Sequence, residues 1–247
     1  MKLAACLTLL GILSYPVLSQ AAAWQDLQRQ YPQQALQQLQ SATLSMQVLQ
    51  LPAQTAAVRG TLLLLPAAGR HPYSPDVFHT LQQLSSEGWQ LVFMPAPDTT
   101  TPDVARQALL NTELRARWQL VQPLLQRPLV VIAQGEVAGT LHLALAADED
   151  PQFQLDALVS LGAYLADPIL DQKLQQHIAQ QNLPVLDLLT QADHPGAIRG
   201  AEQRQQLARA LQTPFYRQRA LNDFSYHSSQ QQWLLLEISG WLKTSGF

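Results

Sequence analysis

The residues able to do chemistry are few and widely spaced. The six histidines, His71, His79, His142, His177, His194 and His227, include no H-x-x-x-H and no H-E-x-x-H arrangement. Those are the spacings that put two imidazoles on one helix face for a metal, so no metal site is expected. No P-loop and no Gly-rich dinucleotide turn follows any strand-like run, so no cofactor is expected either. Two acid–base groups stand in loop-like sequence. Asp193 lies beside His194-Pro195-Gly196, where a plain turn residue is the alternative reading. His227 follows Tyr226 ahead of the last apolar pattern, and its alternative is a solvated loop histidine. Asp187 falls inside an apolar strand pattern and reads as structural, while Arg115, Arg117 and Lys173 read as solvated helix residues.

The elements that must position these groups alternate along the chain. Residues 60–66 contain Thr61-Leu62-Leu63-Leu64-Leu65, a nearly all-apolar run suited to a central strand. Residues 76–87 predict a helix with Val77, Leu81 and Leu84 on one face, stopped by Gly88. A strand over 89–94 ends at Pro95-Ala96-Pro97. A long helix then opens at Thr101-Pro102, where the missing proline N–H costs nothing, and ends near Pro123. Further strands are predicted over 128–133, 155–161, 184–189 and 215–221. Helices are predicted over 136–147, around Leu170, Leu174 and Ile178, over 201–211 and over 230–243. Strands alternating with helices imply an α/β fold with a mostly parallel central sheet and helices on both faces.

The N-terminal part reads differently. Residues 1–23 have the form of a secretory signal: Lys2, an apolar stretch over 3–13 too short to span a bilayer, Pro16, and small residues at Ser19 and at Ala21-Ala22-Ala23 for cleavage. Cleavage removes Cys6, the only cysteine, so the expected mature chain has neither disulfide nor thiol nucleophile. A lipid on Cys6 is the rival reading, and it fails because nothing long enough to insert precedes that residue. Residues 24–57 predict an N-terminal helix and a leading strand. The helix is drawn over 24–40 from the spacing of Leu27, Tyr31, Ala35 and Leu39; a flexible mature N-terminus is the alternative. Residues 58–247 form the main domain. The chain carries a formal charge of −3 and has no basic stripe interleaved with aromatics, so nucleic acid is not an expected partner. No apolar run beyond residue 23 reaches the length of a membrane span, and the expected location is the periplasm.

Over roughly residues 58–243 the chain resembles the α/β hydrolases, in which a strand ends in a G-x-S-x-G turn and leads into a helix. Here Leu129-Val130-Val131-Ile132 runs into Ala133-Gln134-Gly135-Glu136-Val137-Ala138-Gly139. Aligning Ala133 with the first motif glycine puts Gly135 at the nucleophile-elbow position. Starting the motif at Gly135 would put Val137 there instead, and neither residue is a nucleophile. An ordinary strand-to-helix turn that contains glycine is the plain alternative. The resemblance further implies Asp193 as the triad acid, His227 as the base, and the amides of Ala68 and Glu136 as oxyanion-hole donors. Ala68 stands in Leu65-Pro66-Ala67-Ala68-Gly69-Arg70-His71-Pro72, which lacks the usual His-Gly pair. With Glu87-Gly88-Trp89 and Ala133-Gln134-Gly135-Glu136, this stretch is most similar to a family of exported proteobacterial α/β-hydrolase-like proteins of unknown function.

Three functions follow as expectations. The first is a periplasmic α/β-hydrolase-like protein without the nucleophile serine, a pseudoenzyme candidate that binds a small molecule or an envelope partner. The second is an active esterase-like hydrolase that uses an unlocated nucleophile, or a water activated by His227 and Asp193. The third is a structural partner of another envelope protein. One fold hosts many functions, so the resemblance alone does not choose among them.

Overall fold

The computed structural model of the chain describes residues 29–31, 35–67, 79–97, 103–146, 152–221 and 231–247. Val77, Thr101, Pro102, Ala68, His71, His227 and the signal-like segment lie outside the described residues.

Among the described residues, eight strands form one sheet in the order β1-β2-β4-β3-β5-β6-β7-β8. They are β1 (Leu36–Gln40), β2 (Ser45–Leu51), β3 (Gly60–Leu65), β4 (Trp89–Phe93), β5 (Leu129–Gln134), β6 (Ala157–Leu161), β7 (Val185–Thr190) and β8 (Tyr216–Leu221). From β4 to β8 every neighbouring pair is parallel, while β1 and β2 run antiparallel at one edge. The helices are α1 (Asp103–Val121), α2 (Gly135–Ala146), α3 (Pro168–Gln180), α4 (Pro195–Leu211) and α5 (Gln231–Thr244).

The period-2 geometry of strands sorts the leucine runs onto two faces. Leu62 and Leu64 pack with Val130, Ile132 and Val159 under Leu234, Ile238 and Trp241 of α5. Leu63 and Leu65 face the other way, with Val131 and Ala133, under Leu114, Trp118, Leu141 and Ile178 from α1, α2 and α3. Both faces are thus covered, which is why the central strands read as continuous apolar runs rather than alternating ones. No helix among the described residues is long and apolar enough to cross a membrane.

Three details differ from the sequence expectations. The helix drawn through residue 40 is too long, because Leu36–Gln40 is strand β1, paired Leu36↔Leu49 through Gln40↔Ser45. Leu36 packs on one sheet face and Leu39 on the other, an odd spacing that a strand with two covered faces accommodates. Of the helix predicted over 76–87, residues 79–81 are helical and Gln82–Glu87 is a 3₁₀ segment, which stops as expected at Gly88, whose φ is 97°. Finally, Arg117 is not a solvated residue: it is 9% exposed, ion-paired with Glu113, and donates to the Pro95 carbonyl at 3.0 Å.

Candidate active site at the β5–α2 turn

Strand β5 ends at Gln134 and helix α2 begins at Gly135, so the chain reverses from strand to helix with no connecting residue. The turn requires a left-handed backbone, and Gly135 has φ +61°. Glycine takes that conformation without the clash a Cβ would bring. The first-turn amides of α2, including that of Glu136, have no intrahelical partner and lie at the carboxyl end of the sheet, where the helix dipole favours negative charge. Val137, the alternative elbow position, is 1% exposed within α2 and packed in the core.

Three loops converge on this turn. A Cβ added at Gly135 would lie 3.3 Å from the Ala67 Cβ and 3.6 Å from Tyr164 Cε1. Ala67 comes from the loop after β3 and precedes Ala68. Tyr164 follows β6 and stacks on His194, with ring centroids 3.9 Å apart and planes at 12°. His194 follows β7 and caps α4, accepting at Nδ1 from the Gly196 amide at 3.1 Å, which leaves the proton of its neutral form on Nε2. Asp193, next to it, reaches from the end of β7 across to the end of β6. Its Oδ2 accepts from the Thr190 amide at 2.7 Å, and a Cβ on Gly162 (φ +62°) would stand 2.6 Å from its Cγ.

Charge and hydrogen bonding shape the floor of the site. Glu136 is 3% exposed and paired with Arg106 Nε of α1 at 2.9 Å. Burial raises the pKa of the Tyr164 hydroxyl; the Glu136 carboxylate pushes it the same way and Arg106 opposes. The carboxamide oxygens of Gln134 and Gln107 are buried without a hydrogen-bond partner among the described residues. Buried acceptors of this kind cost about 1–3 kcal/mol each unless a donor reaches them. No group of three metal-ligand side chains occurs among the described residues.

A close approach holds the site together. A Cβ on Gly139, one turn along α2, would fall 2.3 Å from the Tyr164 carbonyl oxygen. Gly139→Ala raises helix propensity by about 1 kcal/mol, yet it must push the Tyr164 backbone away. The expected net result is a loss of about 1–3 kcal/mol in urea unfolding; a variant as stable as the wild type would show that this contact is not tight.

A serine–histidine pair occurs elsewhere among the described residues. Ser160 Oγ on β6 lies 2.6 Å from His142 Nε2 on α2, and His142 Nδ1 lies 3.0 Å from Gln181 Oε1. Both residues are fully buried, so Ser160 cannot meet a substrate. The pair belongs to a polar row inside the sheet: Ser160, Asp187 and Gln218 are in register on β6, β7 and β8. Asp187, read as structural, is buried and held by Arg204 Nε at 2.7 Å, Tyr216 Oη at 2.7 Å and Gln218 Nε2 at 3.1 Å. Burial raises the Tyr216 pKa strongly, and the Asp187 carboxylate adds to the effect.

A family profile described as "Protein of unknown function (DUF3530)" matches residues 12–119 and 114–244. The chain belongs to that family. No curated protein matches its sequence. Among solved structures, Thermogutta terrifontis esterase 2 phosphoramylated by tabun is similar at TM-score 0.64 and 11% identity, over 88% of this chain and 97% of that one. The esterase domain of a Rhodothermus marinus protein is similar at TM-score 0.61 and 12% identity, over 85% and 97% of the two chains. Dienelactone hydrolase from Anabaena variabilis is similar at 0.59 and 16%, over 85% and 98%. At such identities the likeness concerns the fold, and the fold of this DUF3530 protein is that of the α/β hydrolases.

Tyr164 and Arg106 were not singled out in the sequence. Tyr164 follows Gly162 at the end of a strand, and Arg106 lies four residues into a helix, with no periodic signal to mark either. Of the site residues the resemblance implied, the structure brings Gly135, Glu136 and the neighbour of Ala68 together. It links them to the Asp193 loop through the Tyr164–His194 stack.

Proposed function

We propose that this protein is an exported, periplasmic α/β-hydrolase-like binding protein that lacks the nucleophile serine. Gly135 at φ +61° carries the reading: the residue in the β5–α2 turn has the backbone of a nucleophile elbow and no side chain to react. Acyl transfer by the covalent route needs a hydroxyl or thiol there for a base to deprotonate. Support for binding comes from what surrounds the turn. The first-turn amides of α2 and the Tyr164–His194 stack offer donors and an aromatic face to a small polar ligand. In this reading Asp193 and His227 keep the acid and base positions without a nucleophile to serve, and the amides of Ala68 and Glu136 keep the oxyanion positions.

The test is to restore the missing atom. A Cβ at position 135 meets only side-chain atoms, at 3.3 and 3.6 Å, so Gly135→Ser is accommodated at the expense of backbone strain of about 1–3 kcal/mol. The wild type is expected to show no burst and little turnover of a short p-nitrophenyl ester. Gly135→Ser is expected to raise that turnover by about 100-fold or more, and adding His227→Ala is expected to remove the gain. Equal rates for wild type and Gly135→Ser would reduce the triad to a resemblance. Robust wild-type turnover abolished by His227→Ala would instead establish an active hydrolase. Export is tested separately: N-terminal sequencing of the periplasmic protein is expected to find Ala22 or Trp24, and retention of Met1 or a lipid on Cys6 would refute it.

A further inference from the structure

At the end of the sheet opposite the Gly135 turn, the end of α4 and the start of β8 enclose a cleft of about 380 Å³. Arg209 and Arg217 line it, together with Gln205, Gln212 and Thr213, and no carboxylate among the described residues does. Neither guanidinium has an ion pair or hydrogen bond among the described residues, although the chain as a whole carries a net charge of −3. The other arginines nearby are used: Arg204 is buried on Asp187, and Arg219 stands 3.7 Å from Glu237. Two guanidiniums on one cleft with no carboxylate among its lining residues favour an anion there. Guanidinium donors beside the carboxamides of Gln205, Gln212 and Gln218 suit an oxyanion with several acceptor oxygens, and the size is that of a small-ligand site.

We propose that this cleft is a binding site for a phosphate group, recognised by Arg209 and Arg217. Leu211 and Phe215, next in the chain to the lining residues Gln212 and Tyr216, are about half exposed, at 50% and 51%. Apolar side chains beside a basic cleft suit a phosphate that belongs to a lipid head group, while the arginines alone suit free phosphate. The site is independent of the turn at Gly135, and its test does not depend on any activity there.

The experiment titrates the full chain with inorganic phosphate by calorimetry and, in a second arm, measures sedimentation with phosphatidylglycerol vesicles against phosphatidylcholine vesicles. Arg209→Gln and Arg217→Gln are each expected to weaken phosphate binding about tenfold. Arg199→Gln, on the exposed first half of α4 away from the cleft, is expected to leave it unchanged. Sedimentation with phosphatidylglycerol that Leu211→Ser/Phe215→Ser abolishes, with phosphate binding retained, identifies the lipid as the source. Phosphate binding without vesicle binding identifies the soluble ion, and in both cases the cleft is a phosphate site. Absence of binding in both arms, or an Arg209→Gln/Arg217→Gln double variant that binds as the wild type does, overturns the proposal.

Discussion

Arg204→Met is expected to lower the unfolding free energy by about 3–5 kcal/mol, the usual result of removing one partner from a buried ion pair. Arg204 and Asp187 both have 0% side-chain exposure, and their contact is 2.7 Å. The guanidinium also donates to Gln175 Oε1 at 2.6 Å. Without it the Asp187 carboxylate keeps only Tyr216 and Gln218 as donors, inside a sheet where water cannot replace the lost charge. The measurement is urea unfolding followed by circular dichroism. Asp187→Leu/Arg204→Met removes both charges and is expected to lose less than the single variant, since the desolvation penalty disappears with the pair. A double variant that loses as much as Arg204→Met would show that hydrogen bonds to Tyr216, Gln175 and Gln218, rather than the uncompensated charge, account for the loss.

Acid is expected to destabilise the wild type through His142. Its pKa is pushed down to about 4, first by burial, against which the Gln181 hydrogen bond and the Asp187 charge work only in part. The ring has its hydrogen bonds as a neutral group: the Gln181 amide donates to the His142 carbonyl at 3.3 Å, so Oε1 is left to accept from Nδ1–H and Nε2 accepts from Ser160. In the unfolded chain the same ring takes up a proton below about pH 6.5. Between pH 6.5 and 4 the unfolded state therefore binds more protons than the folded one, and stability falls as pH falls through that window. The full effect is about 3 kcal/mol, from 1.36 kcal/mol per pKa unit. Urea unfolding at pH 7 and pH 4 measures it. His142→Gln removes the titration, so the variant is expected to lose about 3 kcal/mol less than the wild type over that interval. Equal losses would assign the acid sensitivity to carboxylates alone.

The sequence by itself determined the alternation of strands and helices, the apolar central strands, and the glycine at the β5–α2 turn. Each of these has a local cause. Runs such as Leu62-Leu63-Leu64-Leu65 can be buried on both faces only in a covered sheet. A strand followed at once by a helix needs a residue such as Gly135 that tolerates positive φ. Asp187 was legible as structural because an acid within an apolar strand must find a buried partner. Tertiary structure alone decided which partner: Arg204 lies 17 residues away on a helix whose register against β7 no local pattern reports. It also decided that Leu36–Gln40 is a strand, since two leucines three apart suit a helix face as well as the two faces of a covered edge strand. The remaining cases share one cause. Tyr164 and Gly135, Tyr164 and His194, and the cleft that Arg209 and Arg217 share are brought together by loops and helix ends. Such segments have no periodicity, and their side chains meet only once the sheet has set the distances between its strands.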